Sequence, residues 1–327
     1  MTVKNEVLHI LENNRGSNIS GQDLASLLQV SRTSIWKAIN SLKLEGYIIG
    51  ATSNKGYSLS ISSDVLSVED IRPFLKEEYK DIPISIYKTL TSTNTEAKMA
   101  ILQNAKHGAV ILSEEQTKGR GRLGRDFFSP PQSGIYMSII LKPHLNIANS
   151  VLITTAAAVA VCLSIDKFSK ESPQIKWVND IYIENKKVCG ILTEAVTDFE
   201  SGTVESVIIG IGLNVKTKEN SFPEELQGIA GSIFNTDEGF NTRNQLSAEI
   251  INKVLSICES LEDRTFLEIY KERSMILGQD IIFKKNNEWF EGFAQDIDEN
   301  GGLVVLLNNG QRAVLQSGEV SIRKKNN

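Results

Sequence analysis

Residues 114–129 read EEQTKGRGRLGRDFFS, with four cations (Lys118, Arg120, Arg122, Arg125) set among three glycines (Gly119, Gly121, Gly124). Glycine has a high ordering entropy and no side chain to pack, so this stretch reads as a loop, mobile when empty, that an anion folds on arrival. It follows a strand-like run, AVILSEEQ at 109–116. Neither familiar phosphate loop fits. A Walker A needs Gly-Lys followed by Ser or Thr, and a dinucleotide turn needs a helix behind it, which RDFFSPP at 125–131 cannot start. A flexible arginine clamp remains, because the guanidinium fork suits carboxylate or phosphate and stays charged at any working pH. The plain alternative is a surface Arg/Gly loop that binds RNA without specificity. Its place directly after a strand of a compact domain speaks against that.

On both sides of the clamp, residues 65–272 alternate strand and helix. PISIYKTL (83–90), AVILSEEQ, GIYMSIILK (134–142), IYIENKKVCGILTEAV (181–196) and ESVIIGIGLNV (205–215) have the period-2 or continuous apolar character of strands. STNTEAKMAILQNA (92–105), residues 151–168 and the stretch after Thr242 read as helices. Helices against one face of strands that end in long loops describe an α+β or α/β enzyme domain.

Residues 1–64 form a separate block. Val7, Leu8, Ile10 and Leu11 recur at helical spacing, and a second helix starts at SGQDLASLL (20–28), with Ser20 as cap and Asp23 three residues on. Gln29-Val30 is a turn, and SRTSIWKAINSLKLEG (31–46) is a third helix capped by Ser31. YIIGATSNKGYSLS (47–60) then folds as a hairpin wing around Asn54-Lys55-Gly56. This is a winged helix-turn-helix. Residues 31–57 hold four cations (Arg32, Lys37, Lys43, Lys55) against Glu45, a local +3 in a chain whose net charge is −5. A generic bundle with a solvated basic face would share that charge. Base-reading side chains near the start of the third helix favour DNA, with Gly21, Ser31, Arg32, Thr33, Ser34, Lys37, Asn40 and Lys55 as its contacts.

Residues 273–327 change character again. QDIIFKK, EWFEGFAQDI, GLVVLL and RAVLQ are short strands joined by Asn286-Asn287, Glu299-Asn300-Gly301-Gly302 and Asn308-Asn309-Gly310, the pattern of a small SH3-like β-barrel.

The 327-residue length suits two or three domains, and 41% hydrophobic with 23% charged residues is a globular composition. Cys162, Cys189 and Cys258 lack metal-ligand spacing and suit a reducing compartment. Lys4, Glu6 and Asn13-Asn14-Arg15 interrupt any signal sequence, and the apolar run 151–165 is shorter than the ~20 residues of a membrane span, so the expectation is a cytoplasmic protein without a membrane partner.

Two further constellations carry chemistry. IKWVNDIYIENKKVCGILTE (175–194) puts Lys176, Asn179 and Asp180 in one polar turn, then leads Lys187 into an apolar strand that ends at Glu194. A half-buried ammonium there needs an anion. IIGIGLNV (208–215) ends a strand among small residues at Asn214, whose amide can read a base edge.

TSTNTEA (91–97), EEQTKGRGRLGR (114–125), KWVNDIYIENKKVCGILTE (176–194) and GIGLNV (210–215) resemble the motifs of biotin protein ligases. With a winged helix ahead and a β-barrel behind, the chain is similar to the bifunctional ligase/repressor subgroup over nearly its whole length. Val178 departs from the family, which usually has proline there; the expected cost is turn rigidity rather than chemistry. The resemblance implies an ATP-dependent enzyme that forms biotinyl-5'-AMP with Mg²⁺ and passes biotin to a lysine of carboxyl-carrier domains. It also implies a repressor of biotin synthesis and transport genes that binds operator DNA as an adenylate-bound homodimer. By resemblance Ser92, Thr93, Asn94 and Gln116 bind biotin, with Arg120, Gly121 and Arg122. Lys187 lies between the biotin carboxylate and the α-phosphate. Gly119, Arg122, Arg125, Asn179 and Asn214 contact the nucleotide, while Lys187, Arg122 and Asp180 carry the chemistry, Asp180 by orienting the incoming amine. Residues 221–234 are the candidate cover for the adenine, and no metal ligand is assigned. A lipoate ligase shares this fold and adenylation chemistry, and a metabolite sensor that only binds would share the architecture.

Overall fold

A computed structural model describes residues 2–53, 55–142, 150–197, 204–234, 242–285, 288–316 and 323–324. The chain opens with α1 (Val3–Asn13), α2 (Gly21–Leu28) and α3 (Arg32–Leu44). The hydroxyls of Thr2, Ser20 and Ser31 cap them by accepting the amides of Asn5, Asp23 and Ser34. Val7, Leu8 and Leu11 of α1 share one core with Leu24, Ile35, Ile39 and Leu42, the inward stripes of α2 and α3. Strands β1 (Ile49–Thr52) and β2 (Gly56–Leu59) pair antiparallel as the wing, whose Asn54 lies outside the described residues. The wing is tied back by a bridge between Ile19 and Tyr57. Gly56 makes that contact possible: its φ is 96°, and a Cβ there would overlap the Ile19 carbonyl.

After α4 (Val68–Ile71) come β3 (Ile84–Tyr87), α5 (Thr93–Leu102), β4 (Val110–Ser113) and β5 (Gly134–Leu141). There follow α6 (Ser150–Ile165), β6 (Gln174–Lys176), β7 (Asp180–Ile183), β8 (Lys186–Thr197), β9 (Val204–Asn214), α7 (Thr242–Glu259) and α8 (Phe266–Glu272). The strands form one seven-stranded sheet in the order β3-β4-β5-β9-β8-β7-β6. It is mixed: β3 and β4 run parallel, and the remaining neighbours antiparallel. Strand alternation sends Leu112, Ile139 and Ile209 into the core shared with α6 and α7, while Ile111, Ile140 and Ile208 face Ala97 and Ile101 of α5. Helices therefore cover both faces, not one. Both sides of the central strands are apolar, which the continuous hydrophobic runs already implied.

Strands β10 (Asp280–Lys285), β11 (Glu288–Ile297), β12 (Leu303–Leu307), β13 (Arg312–Leu315) and β14 (Arg323–Lys324) form an antiparallel sheet in the order β13-β12-β11-β10-β14. Among the described residues this order is open, with β13 and β14 at its edges; the expected Asn286-Asn287 turn lies outside them. Ile281, Phe283, Leu303 and Val305 join the main core, and Trp177 donates its indole N–H to the Gly301 carbonyl at 2.9 Å.

The passage from the winged helix to the ligase fold is buried. Arg243, at the start of α7, is fully buried and pairs with Asp64 (3.1 Å) and Glu114 (2.7 Å), while Lys216 reaches Asp64 at 2.9 Å. Burial pulls the guanidinium pKa down, but the two carboxylates outweigh it and hold Arg243 above its ordinary value. Asp64 thereby anchors the end of the DNA-binding block to the strand that leads into the Gly/Arg loop.

Candidate active site

Between α5 and the β8–β9 surface lies a narrow cleft with polar and apolar groups on its walls. The first turn of α5 supplies Ser92, Thr93 and Asn94, all buried. Gln116 crosses to them: its Oε1 accepts the Thr93 amide at 2.8 Å, and its Nε2 donates to Ser129 at 2.9 Å. The Gly/Arg loop closes the side through Arg120, Gly121 and Arg122. Its backbone is pinned by Gly121 N to Arg125 O (2.7 Å) and Phe127 N to Gly119 O (2.9 Å). The loop was expected to hold no helix; it carries one 3₁₀ turn, Arg122–Gly124, with Leu123 and Gly124 at positive φ.

On the far wall, Arg122 donates to Asn179 Oδ1 at 2.9 Å, and Asn179 Nδ2 donates to Asp180 Oδ1 at 3.0 Å. Asp180 Oδ1 also receives Lys187 Nζ at 2.7 Å. The chain Arg122–Asn179–Asp180–Lys187 sets two cations beside one carboxylate. Burial lowers the Arg122 pKa, with Asp180 opposing the shift. Lys187 reaches its place through an irregular register: Ile181 faces Cys189 and Tyr182 faces Lys187, so Val188 is an extra residue that re-aims the side chain. Just before this wall the Trp177–Val178 peptide is cis, with valine at the position the family gives to proline.

The cleft floor carries features that no reading of the motifs assigned. Gly190 pairs with Gly212, and Gly210 lies two residues away on the same face. A Cβ on Gly212 would overlap the Phe127 ring, and one on Gly210 would overlap the Asn94 amide. The period-2 glycines of IIGIGLN were the available signal; Phe127, packed beside the loop, left none.

Two expected nucleotide contacts stand apart. Arg125 is exposed and is not among the residues lining the cleft. Asn214 is buried, donates to the Gly231 carbonyl at 3.0 Å, and is not among the lining residues either. At this strand end it bonds the segment 229–234 near Lys187, whose amide and carbonyl bond to Ile229 O and Gly231 N. Gly119 is buried against Phe127 O and Ser129 Oγ, with no space for a side chain.

A second concavity lies between α3 and the wing and is lined by Gly21, Arg32 and Thr33 from the expected DNA contacts, joined by Gln22, Trp36 and Tyr57. Lys37 and Lys55 are exposed, whereas Asn40 is half-buried. Ser31 and Ser34 bond to each other at 2.9 Å while capping α3, so both hydroxyls are engaged in the helix start. Trp36 is 56% exposed and escaped the reading although it stands off the apolar stripe Ile35, Ala38, Ile39, Leu42.

Family models match three parts of the chain: an HTH domain at residues 3–58, the biotin/lipoate A/B protein ligase family at 86–214, and the biotin protein ligase C-terminal domain at 276–323. The bifunctional ligase/repressor BirA of Bacillus subtilis is 33% identical, over 96% of this chain and 97% of its own length. The chain belongs to the bifunctional ligase/repressor BirA family. The Escherichia coli member is 26% identical across 98% of both chains. A biotin protein ligase from Aquifex aeolicus, solved with biotin and ATP, superposes with a TM-score of 0.64 at 25% identity, over 74% of this chain and 99% of that one. This BirA-family chain is a biotin ligase that uses ATP and carries a helix-turn-helix repressor domain. The similarity to ligase/repressors along the whole length selects biotin over lipoate. Among the described residues no helix is long and apolar enough to cross a membrane.

Proposed function

We propose that the cleft activates biotin as biotinyl-5'-AMP and delivers it to one lysine of a biotin carboxyl-carrier domain. The observation that carries this reading is the Lys187–Asp180 pair of 2.7 Å beside Arg122, which sets cations on the wall where two anions must meet. Biotin's carboxylate attacks the α-phosphorus, its oxygen forms the new P–O bond, and pyrophosphate leaves with the bridging oxygen. Lys187 turns from Asp180 to the charge gathering on carboxylate and phosphoryl oxygens, where a fixed cation counts for most. Asp180, relieved of its partner, accepts a hydrogen bond from the carrier's amine. The amine then attacks the acyl carbon, and AMP departs. Ser92, Thr93, Asn94 and Gln116 hold the biotin end; Arg120, Gly121 and Arg122 fold over it. Arg122 and Asn179 contact the nucleotide directly. Gly119, Arg125 and Asn214 complete the nucleotide contacts from the loop and strand end around it, and residues 221–234 cover the adenine.

Among the described residues no cluster of His, Cys, Asp or Glu is built to hold a metal. Mg²⁺ brought in with the triphosphate would supply charge neutralisation there.

In the same reading, residues 1–64 bind DNA, 65–272 carry the ligase and 273–327 complete an SH3-like barrel. The protein works in the cytoplasm. A reading unit of only +3 binds one half-site poorly, so the adenylate-bound form acts as a homodimer on an operator of biotin synthesis and transport genes. Gel shifts on candidate operator DNA test the switch: tight, salt-sensitive binding is expected only with biotin and ATP together. Equal affinity without biotin would remove the switch from this account.

A further inference from the structure

The motif KKVCGILTE ends at Glu194, a residue with no part in the chemistry above. It stands on β8 outside the cleft, its side chain 20% exposed. One oxygen takes Lys98 Nζ at 2.7 Å, the other Asn94 Nδ2 at 2.8 Å. The Asn94 Nδ2 group also lies 3.4 Å from the Leu192 carbonyl. With both amide hydrogens facing acceptors, Asn94 has one orientation, and its Oδ1 points to Ser138 Oγ at 2.6 Å. Asn94 Oδ1 can only accept, so the single Ser138 proton goes there. Ser138 Oγ also lies 2.8 Å from Thr93 Oγ1, whose own proton goes to Gln116 Oε1 at 3.2 Å. The locked Asn94–Ser138 pair thus packs against Thr93, and both Asn94 and Thr93 line the cleft. Gly210 belongs to the same device, because a Cβ there would overlap Asn94 Oδ1.

We propose that Glu194 is a positioning residue for the biotin end of the cleft: it fixes the one orientation of the Asn94 amide, which lines the cleft and seats Ser138 and Thr93 beside it. This rests on the cleft being the biotin site. Burial pushes the Glu194 carboxyl up, but bonds from Lys98 and Asn94 and the charges of Lys98 and Arg120 prevail and hold it below its ordinary value. At neutral pH it is an acceptor only.

Initial rates of pyrophosphate release, with biotin and ATP varied separately on the full chain, test the assignment. Glu194→Ala should raise the biotin KM by about tenfold or more while kcat and the ATP KM stay within about threefold, the pattern of a lost ground-state contact. Glu194→Gln keeps an oxygen for Asn94 and should restore most of the biotin KM. Lys98→Ala, which removes the ion pair alone, should stay near the parent. A parental biotin KM in Glu194→Ala would overturn the proposal, as would a Lys98→Ala variant that matches its defect. Should Glu194→Ala not fold, Glu194→Met carries the same expectation. A parent chain that releases no pyrophosphate with biotin and ATP would sink the reading of the cleft, and the proposal with it.

Discussion

Lys187 owes its position to two local causes, the bulge at Val188 and the carboxylate of Asp180. Removing the ammonium deletes one transition-state cation and leaves the strand pairing intact. Lys187→Ala should therefore slow adenylation by a factor on the order of 10² or more at saturating substrates, with an unchanged melting curve. Pyrophosphate release measures this, and a near-parental rate would take the role from Lys187. At this scale the sequence displayed the charged side of the site. Lys187, Arg122, Asn179 and Asp180 stood out because cations and amides beside apolar strands need partners, and the structure brings all four into one chain of contacts. The apolar side was not legible. Phe127 touches the cleft only because Gly190 and Gly212 face it from another segment, a pairing fixed by sheet register rather than by neighbours in the chain. Asn214 and Arg125 lie outside the cleft lining, and polarity alone does not say whether a residue's partners are ligand or backbone.

Secondary structure followed the sequence closely where periodicity was strong. The three N-terminal helices begin at Thr2, Ser20 and Ser31, whose capping hydroxyls are local signals, and the central strands match their apolar runs. What periodicity omits is which elements meet. The placement of α5 opposite α6 and α7 depends on the sheet order, as does the burial of Arg243 between Asp64 and Glu114. A lone arginine after a stretch of polar residues gives no sign that it holds two segments, each more than a hundred residues before it. Its replacement is correspondingly costly. Arg243→Met leaves two buried carboxylates without their cation and should lower unfolding stability by about 3–5 kcal/mol, whereas Lys216→Met, at a partly exposed partner, should cost about 1 or less. Urea denaturation compares them; equal losses would mean that Arg243 is not the anchor.

Across the whole molecule, the DNA-binding block meets the ligase fold through a carboxyl pair as well. Glu12 of α1 and Asp70 of α4 are near enough that, beyond burial, the charge of Asp70 raises the Glu12 pKa, while Arg15 bonds to Glu12 and opposes the rise. Burial, chiefly, lifts the Glu12 pKa from 4.5 to about 7, and Asp70 moves the same way. The native state thus keeps a proton that the unfolded chain releases at lower pH. The pair's contribution is fully present below the unfolded value and is lost as pH rises through about 7. Hydrogen exchange in α1 should accelerate over that rise, and Glu12→Gln should abolish the step; exchange with no pH dependence beyond the intrinsic chemistry would contradict the raised Glu12 pKa.

The reading of the cleft, the loop and the two flanking domains converges on one transfer. Labelled biotin, ATP and a biotin carboxyl-carrier domain incubated with the full chain measure it directly. The account predicts label in an amide bond to a single carrier lysine, with AMP and pyrophosphate released in step and no transfer when ATP is withheld. Carrier that stays unlabelled while the chain binds biotin and ATP would contradict it.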